Sequence, residues 1–312
     1  MSETAGRSMD ALAPLAARGR RFSGERKVRL GDVGVDGRLR LDALTRYTQD
    51  VSDDDTTDAG LPADPGWVVR STVVDQLVPA VLGEQLHFTT FCSGLGRRWA
   101  ERRLSIIGGG GARYEVATVW VCIDVQSGQP HPLTERFIEL YGDAADGRRA
   151  SARLRNPKLV DQSPADLCCE HWQLRTADYD VFEHVNNAAY WAVVEQWLES
   201  SMMSRPVRAR LEYGAGLTPA ASVPVARVSG PDFLRLWWLD PVGAGTDSVI
   251  GAGTGSVIGA GTGSVIVDFE VVASASVVAL DPDLYAGGAP ADGAGVASGP
   301  VEVGSRVKNE AR

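Results

Sequence analysis

The stretch "DYDVFEHVNNAAYW" (residues 178–191) decides how this chain is read. A polar run with one histidine and two asparagines leads straight into an apolar, helix-like segment. Asn186 or Asn187 can accept hydrogen bonds from the free N–H groups that open a helix, and a carboxylate such as Asp180 is favoured beside the positive helix end. A capped helix start accounts for these residues about as well as a reactive site does. It gives no role to His184.

The same pattern occurs earlier in the chain. A shift of 146 residues lays "RLGDVGVDGRLRLDALTRYTQD" (29–50) on "RTADYDVFEHVNNAAYWAVVEQ" (175–196) without a gap. Arg29 meets Arg175, Asp32 meets Asp178, Val35 meets Val181 and Ala43 meets Ala189. Leu44, Tyr47 and Val51 fall on Tyr190, Val193 and Trp197, an i, i+3, i+7 stripe that predicts one amphipathic helix in each copy. Matching turn and matching stripe together predict a duplication.

β-Branched and aromatic runs follow each helix. They are 67–78, 84–93, 99–108 and 114–125 in the first half, and 208–215, 221–230, 232–240 and 264–274 in the second. The first set reads as an antiparallel meander. "GGGG" (108–111) lies between two such runs and reads as a hairpin loop, because no GK[ST] or helix start follows it for a phosphate cradle. The expected fold class is α+β, a tandem (double) hot-dog in which a curved antiparallel sheet wraps a long helix twice. The expected division is a tail at 1–21, a first half at 22–145, a linker at 146–165, a second half at 166–280 and a tail at 281–312. Three eight-residue glycine-rich units interrupt the second half at 243–264, and they read as an expanded hairpin loop. Asp247 is the one carboxylate in these units, too few for calcium.

Composition narrows the partners. The chain has 312 residues, 44% of them hydrophobic and 23% charged, as expected of a globular protein with a sizeable core. A net charge of −9 argues against nucleic acid or an anionic membrane, and the absence of a long apolar run points to a cytoplasmic protein. Cys92, Cys122, Cys168 and Cys169 form no CxxC pair and have no histidine at zinc-ligand spacing, so no metal or bound cofactor is expected. The cysteines read as idle thiols, with a nucleophile at Cys168 or Cys169 as the lesser alternative.

With the duplication in place, "RTADYDVFEHVNNAAYW", "WVVRSTVVDQLVPAVLGEQL", "VWVCIDVQSGQPHPL" and "LEYGAGL" resemble the acyl-acyl-carrier-protein thioesterases of plants and bacteria. The resemblance covers roughly residues 22 to 275. It implies hydrolysis of the thioester between a fatty acyl chain and acyl carrier protein, or coenzyme A, with the working site in the second half. The family's Asp-x-Asn-x-His falls on Asp180, Phe182 and His184, so the asparagine is missing. A further family carboxylate falls on Gly216, a second departure. Arg38 stands where the second copy has His184, which implies a non-catalytic first half.

Thioester hydrolysis needs an activated water or carboxylate nucleophile, a polarised carbonyl and an exit for the thiolate. A helix N-terminus suits the developing oxyanion. The expected catalytic residues are therefore Asp180 as nucleophile or base, His184 to orient it or the water, and Asn187 beside backbone amides that hold the oxyanion. Glu195 is a substitute base if Phe182 and Gly216 disable that set. Trp191, Trp197, Trp237 and Trp238 are candidates for an acyl groove or for plain core. Arg148, Arg149, Arg153, Arg155 and Lys158, with Arg97, Arg98, Arg102 and Arg103, are candidate contacts for an acidic carrier or simply solvated faces. A homodimer stays open. The alternatives are a non-catalytic acyl-thioester-binding or regulatory protein and a hot-dog enoyl hydratase.

Overall fold

The computed structural model describes residues 10–198, 202, 204–214, 216–217, 222–241, 254–258 and 265–285. The elements in chain order are β1 (Phe22–Lys27), α1 (Leu41–Asp58), β2 (Gly66–Val78), β3 (Gln85–Leu95), β4 (Trp99–Gly108), β5 (Arg113–Ile123), α2 (Glu135–Ala145), β6 (Cys168–Gln173), α3 (Asn187–Trp197), β7 (Val207–Tyr213), β8 (Ser222–Gly230), β9 (Phe233–Pro241), β10 (Thr254–Ile258) and β11 (Val265–Ala279). The strands form one antiparallel sheet in the order β1-β3-β4-β5-β2-β7-β11-β9-β8-β6, with β10 paired to β11 off this path. The order is the same read inward from either end. The sheet is therefore two copies of one five-strand unit joined through β2 and β7, wrapped around α1 and α3, which touch each other.

Burial explains the arrangement. Leu44 and Val51 of α1, and Tyr190 and Val193 of α3, lie in one continuous apolar core with the inner faces of the strands. Tyr190 packs edge-on against Tyr213 and Trp238, at ring centroid distances of 5.4 Å each, and this fixes α3 on its half of the sheet. Only β3, β4 and β5 form the expected meander. β2 lies beyond β5, where it pairs with both β5 and β7. That crossover joins the inner edges of the two units, so β1 and β6 are left as the sheet's ends.

The junction carries charge. Arg208 on β7 donates through two nitrogens to the buried Asp75 carboxylate on β2, at 2.6 and 2.5 Å, and Tyr285 Oη donates to the same group. The linker is pinned beside it. The N–H groups of Arg155 and Asn156 bond the buried Glu212 carboxylate, and Trp237 Nε1 donates to Pro157 O.

Several expectations are corrected. Residues 10–21, read as part of a tail, lie against the first half: Arg20 bonds Asp55 and Asp58, and Ala13 O accepts from Arg103. Arg102 and Arg103, read as surface residues, are buried in ion pairs with Asp55 and Glu115. Arg97, Arg98, Arg149, Arg153, Arg155 and Lys158 remain exposed, and Arg148 is partly buried. Trp191, Trp237 and Trp238 are core, whereas Trp197 is partly exposed. Of the glycine-rich units, Thr254–Ile258 forms β10, and the rest lies outside the described residues.

Removing one partner of a buried ion pair strands the other charge. Asp75→Ala is therefore expected to lower the unfolding free energy by about 3–5 kcal/mol in urea titration, whereas Asp232→Ala, at an exposed pair with Arg205, costs less than about 1 kcal/mol. Equal costs for the two variants would contradict this account of the junction.

Candidate active site

The two copies fold their pre-helix turn with the same hydrogen bonds. Arg29 N donates to Asp32 Oδ2 at 3.0 Å and Arg175 N to Asp178 Oδ2 at 2.7 Å. Two of the identities between the copies are thus turn-closing residues. Gly34 N bonds Arg38 O as Asp180 N bonds His184 O, each at 2.9 Å. Gly37, at φ +76°, and Glu183, at φ +61°, sit at equivalent left-handed positions, which glycine adopts without the cost a side chain brings.

The turn holds Asp180. Its Oδ1 accepts from Phe182 N at 2.9 Å and from His184 N at 3.1 Å. The backbone thus orients the carboxylate without help from a side-chain amide at position 182, and the loop's own bonds stay off Oδ2. His184 is exposed beside Gly216, where an added Cβ would lie 3.9 Å from His184 Cδ2. A carboxylate at position 216 would have faced the imidazole. Val181 and Phe182, at 91% and 75% exposure, project from the tip of the turn.

Asn186 rather than Asn187 is the helix cap, since its Oδ1 accepts from Ala188 N at 2.8 Å. Asn187 opens α3, partly buried, and its carbonyl accepts from Tyr213 Oη at 2.9 Å. Asp180, His184 and Asn187 are therefore brought together on one turn and the helix start it feeds.

Glu195, read as a substitute base, makes a bond that joins the two halves. It is partly buried in α3 and reaches across the two halves, where Oε2 accepts from Leu41 N, the first N–H of α1, at 3.0 Å. Burial pushes its carboxyl up to about 7, although the Leu41 N–H opposes the shift. The 146-residue shift puts Gln49 where Glu195 stands and Asn187 where Leu41 stands. The start of α1 is thus plugged by a carboxylate, and the start of α3 has a neutral amide as its counterpart.

Two cavities lie beside α1. The larger, about 170 Å³, is walled by Trp67, Trp120, Phe137 and Tyr141 and bordered by Arg102. Sequence reading found none of these rings, nor α2, which supplies two of them. The signal existed in Phe137, Tyr141 and Ala144, spaced i, i+4, i+7 behind the cap Thr134. The smaller cavity, about 10 Å³, shares Gln49, Ser52 and Trp120 with the larger and extends to Trp191 and Tyr213, the residue that bonds Asn187. Among the described residues no helix is long and apolar enough to cross a membrane, and no group of metal-ligating side chains occurs.

The architecture defines a double hot-dog protein. Residues 19–141 match the family described as "Acyl-ACP thioesterase N-terminal domain", and residues 162–224 match "Acyl-ACP thioesterase C-terminal domain". An uncharacterized protein of Mycobacterium tuberculosis, Rv2001, is 31% identical over 209 residues, which are 66% of this chain and 81% of that one. The chain belongs to the acyl-ACP thioesterase family. Its fold is that of the 12:0-ACP thioesterase from Umbellularia californica, with a TM-score of 0.62 and 17% identity over 84% of this chain and 97% of that one. An acyl-ACP thioesterase from Bacteroides thetaiotaomicron is similar too, with a TM-score of 0.60 and 14% identity over 83% and 97%.

Because folding raises the Glu195 pKa from 4.5 to about 7, the folded chain holds this proton more tightly than the unfolded one. The resulting stability is full below about 4.5 and is lost as pH rises through about 7. Glu195→Gln is expected to flatten the fall in Tm across that window, and an unchanged slope in the variant would contradict the assignment.

Proposed function

We propose that the protein is an acyl thioesterase that hydrolyses fatty acyl thioesters of acyl carrier protein or coenzyme A at the N-terminus of α3. One observation carries the reading. Of two equivalent helix starts, the first has its leading N–H occupied by Glu195, and the second has Gln49 in the equivalent place and Asp180 and His184 on its approach. Glu195 at the first start satisfies the N–H and occupies the place a developing anion would take. A neutral amide leaves the second start free to stabilise one.

In this reading the thioester carbonyl oxygen lies at the Asn187 N–H. Asp180 Oδ2 takes a proton from water as the water oxygen bonds the carbonyl carbon, or Asp180 attacks that carbon itself. In the second case water then opens the mixed anhydride left after C–S cleavage, freeing the acid and the Asp180 carboxylate. His184 orients the water. The tetrahedral intermediate collapses with cleavage of the C–S bond, and the thiolate, whose pKa is about 8.5, leaves without strong acid help. The acyl tail runs past Tyr213 and Trp191 into the aromatic chamber. From Gln49 to Thr56 the chamber follows α1 for about 10 Å, room for a medium-length tail. The exposed Arg97, Arg98 and Arg149 suit an acidic carrier.

A second reading, acyl binding without turnover, is favoured by Gly216, which leaves His184 without a facing carboxylate. Thiol release across a panel of acyl thioesters decides between the two. Asp180→Asn is expected to lower kcat/KM by at least about 100-fold, and His184→Ala by at least about tenfold. Gln49→Glu, which copies the plug at the open helix start, is expected to cost about 100-fold in kcat. Glu195→Gln leaves turnover within a few fold at pH 7.5. Wild-type binding with no thiol release would establish the second reading, and unchanged rates in the first three variants would remove the site.

A further inference from the structure

Between the helix start and the aromatic chamber lies the small cavity, a waist whose lining is unusual for a passage meant to admit hydrocarbon. Trp120 borders both cavities, and its Nε1 is buried with no hydrogen-bond partner among the described residues. An indole N–H can only donate, and burying it against methylene groups leaves its hydrogen bond unmade. Hydroxyl side chains line the same small cavity. Thr45 Oγ1 donates to Leu41 O at 3.0 Å and Ser52 Oγ to Thr48 O at 2.6 Å, so both hydroxyls spend their protons within α1 and keep lone pairs for a visitor. Thr72 and Thr118 bond each other across neighbouring strands at 3.3 Å.

The waist thus has one donor that needs an acceptor, and hydroxyl oxygens in the same lining. Its volume of about 10 Å³ is close to the space of one water-sized group. A methyl branch has no use for the indole N–H. A hydroxyl can accept from Trp120 and donate to a threonine or serine oxygen, and an oxo group can accept alone. We infer that the waist recognises an oxygen carried part-way along the acyl chain, so the preferred substrates are hydroxyacyl or oxoacyl thioesters rather than plain alkanoyl ones. The apolar remainder of the chain occupies the chamber of Trp67, Phe137 and Tyr141 beyond. This inference rests on the thioesterase reading for the direction in which the chain enters, but the waist itself can be tested without turnover.

The test compares decanoic acid with a positional series of oxodecanoic acids, measured by calorimetry on the full chain and on Trp120→Phe. At least one oxo isomer is expected to bind about tenfold more tightly than decanoic acid, and Trp120→Phe is expected to erase that preference. Equal binding of all the acids, or a preference that survives in Trp120→Phe, overturns the inference. Should Trp120→Phe fail to fold, the indole N–H resonance of Trp120 in wild type decides. Supporting the inference, it shifts with the preferred oxo acid and not with decanoic acid; identical responses overturn it. Thiol release from the matching thioesters separates the two proposals. No hydrolysis with the binding preference intact sinks the thioesterase reading alone. Equal kcat/KM for plain and oxygenated thioesters, with no preference among the acids, sinks the waist alone.

Discussion

A side chain from one half of the molecule terminates a helix in the other: Glu195 Oε2 accepts the first N–H of α1 from across the boundary. The bond forms because β2 and β7 fuse two five-strand units into one sheet and set their helices against each other. Glu195 on α3, which faces the start of α1, then has Gln49 as its counterpart on α1. Duplication by itself would make two equivalent anion sites. In the reading proposed above, glutamate against glutamine at equivalent positions is the difference that makes them unequal. A helix start presents few free N–H groups, and a protein carboxylate already bound there leaves little positive potential for a reacting oxygen.

The remaining asymmetries follow the same division. In the first turn Arg38 folds back on Asp36, with Nε donating to Oδ2 at 2.8 Å. In the second, Asp180 is held by backbone amides and His184 stays exposed. The first half contributes space in exchange. Its helix carries a second buried stripe of Thr45, Thr48, Ser52 and Asp55 beside the apolar one, and the two cavities border that stripe. Arg102, Asp55 and Tyr141 tie the stripe's end to β4 and α2, and Arg20 fastens the N-terminal segment over it. One half thus shapes a chamber, and the other presents the turn proposed to carry the reaction.

Much of this was legible in the sequence because periodicity records burial. The strand runs and helix stripes that the pattern predicts coincide with observed elements to within a few residues, and the shift between copies maps β1 onto β6 residue for residue. Pairing order was not legible. The position of β2 beyond β5 depends on which edges need covering, and no local pattern carries that. The charged runs misled for a related reason: Arg102 and Arg103 look like a solvated strand face until their partners, Asp55 and Glu115, arrive from elsewhere in the chain. The polar turn before α3 was legible as residue types, yet the loop amides that orient Asp180 emerge only from its fold. The role of Glu195 depends on contact with Leu41, 154 residues away in sequence.

The central claim is that only one of the two helix starts is open to an anion. Backbone amide NMR with a trifluoromethyl ketone analogue of an acyl thioester, whose hydrate presents a negatively charged oxygen, tests it directly. The Asn187 N–H resonance should move strongly downfield on saturation while that of Leu41 stays in place. Movement of Leu41, or of neither amide in a saturated complex, would contradict the account.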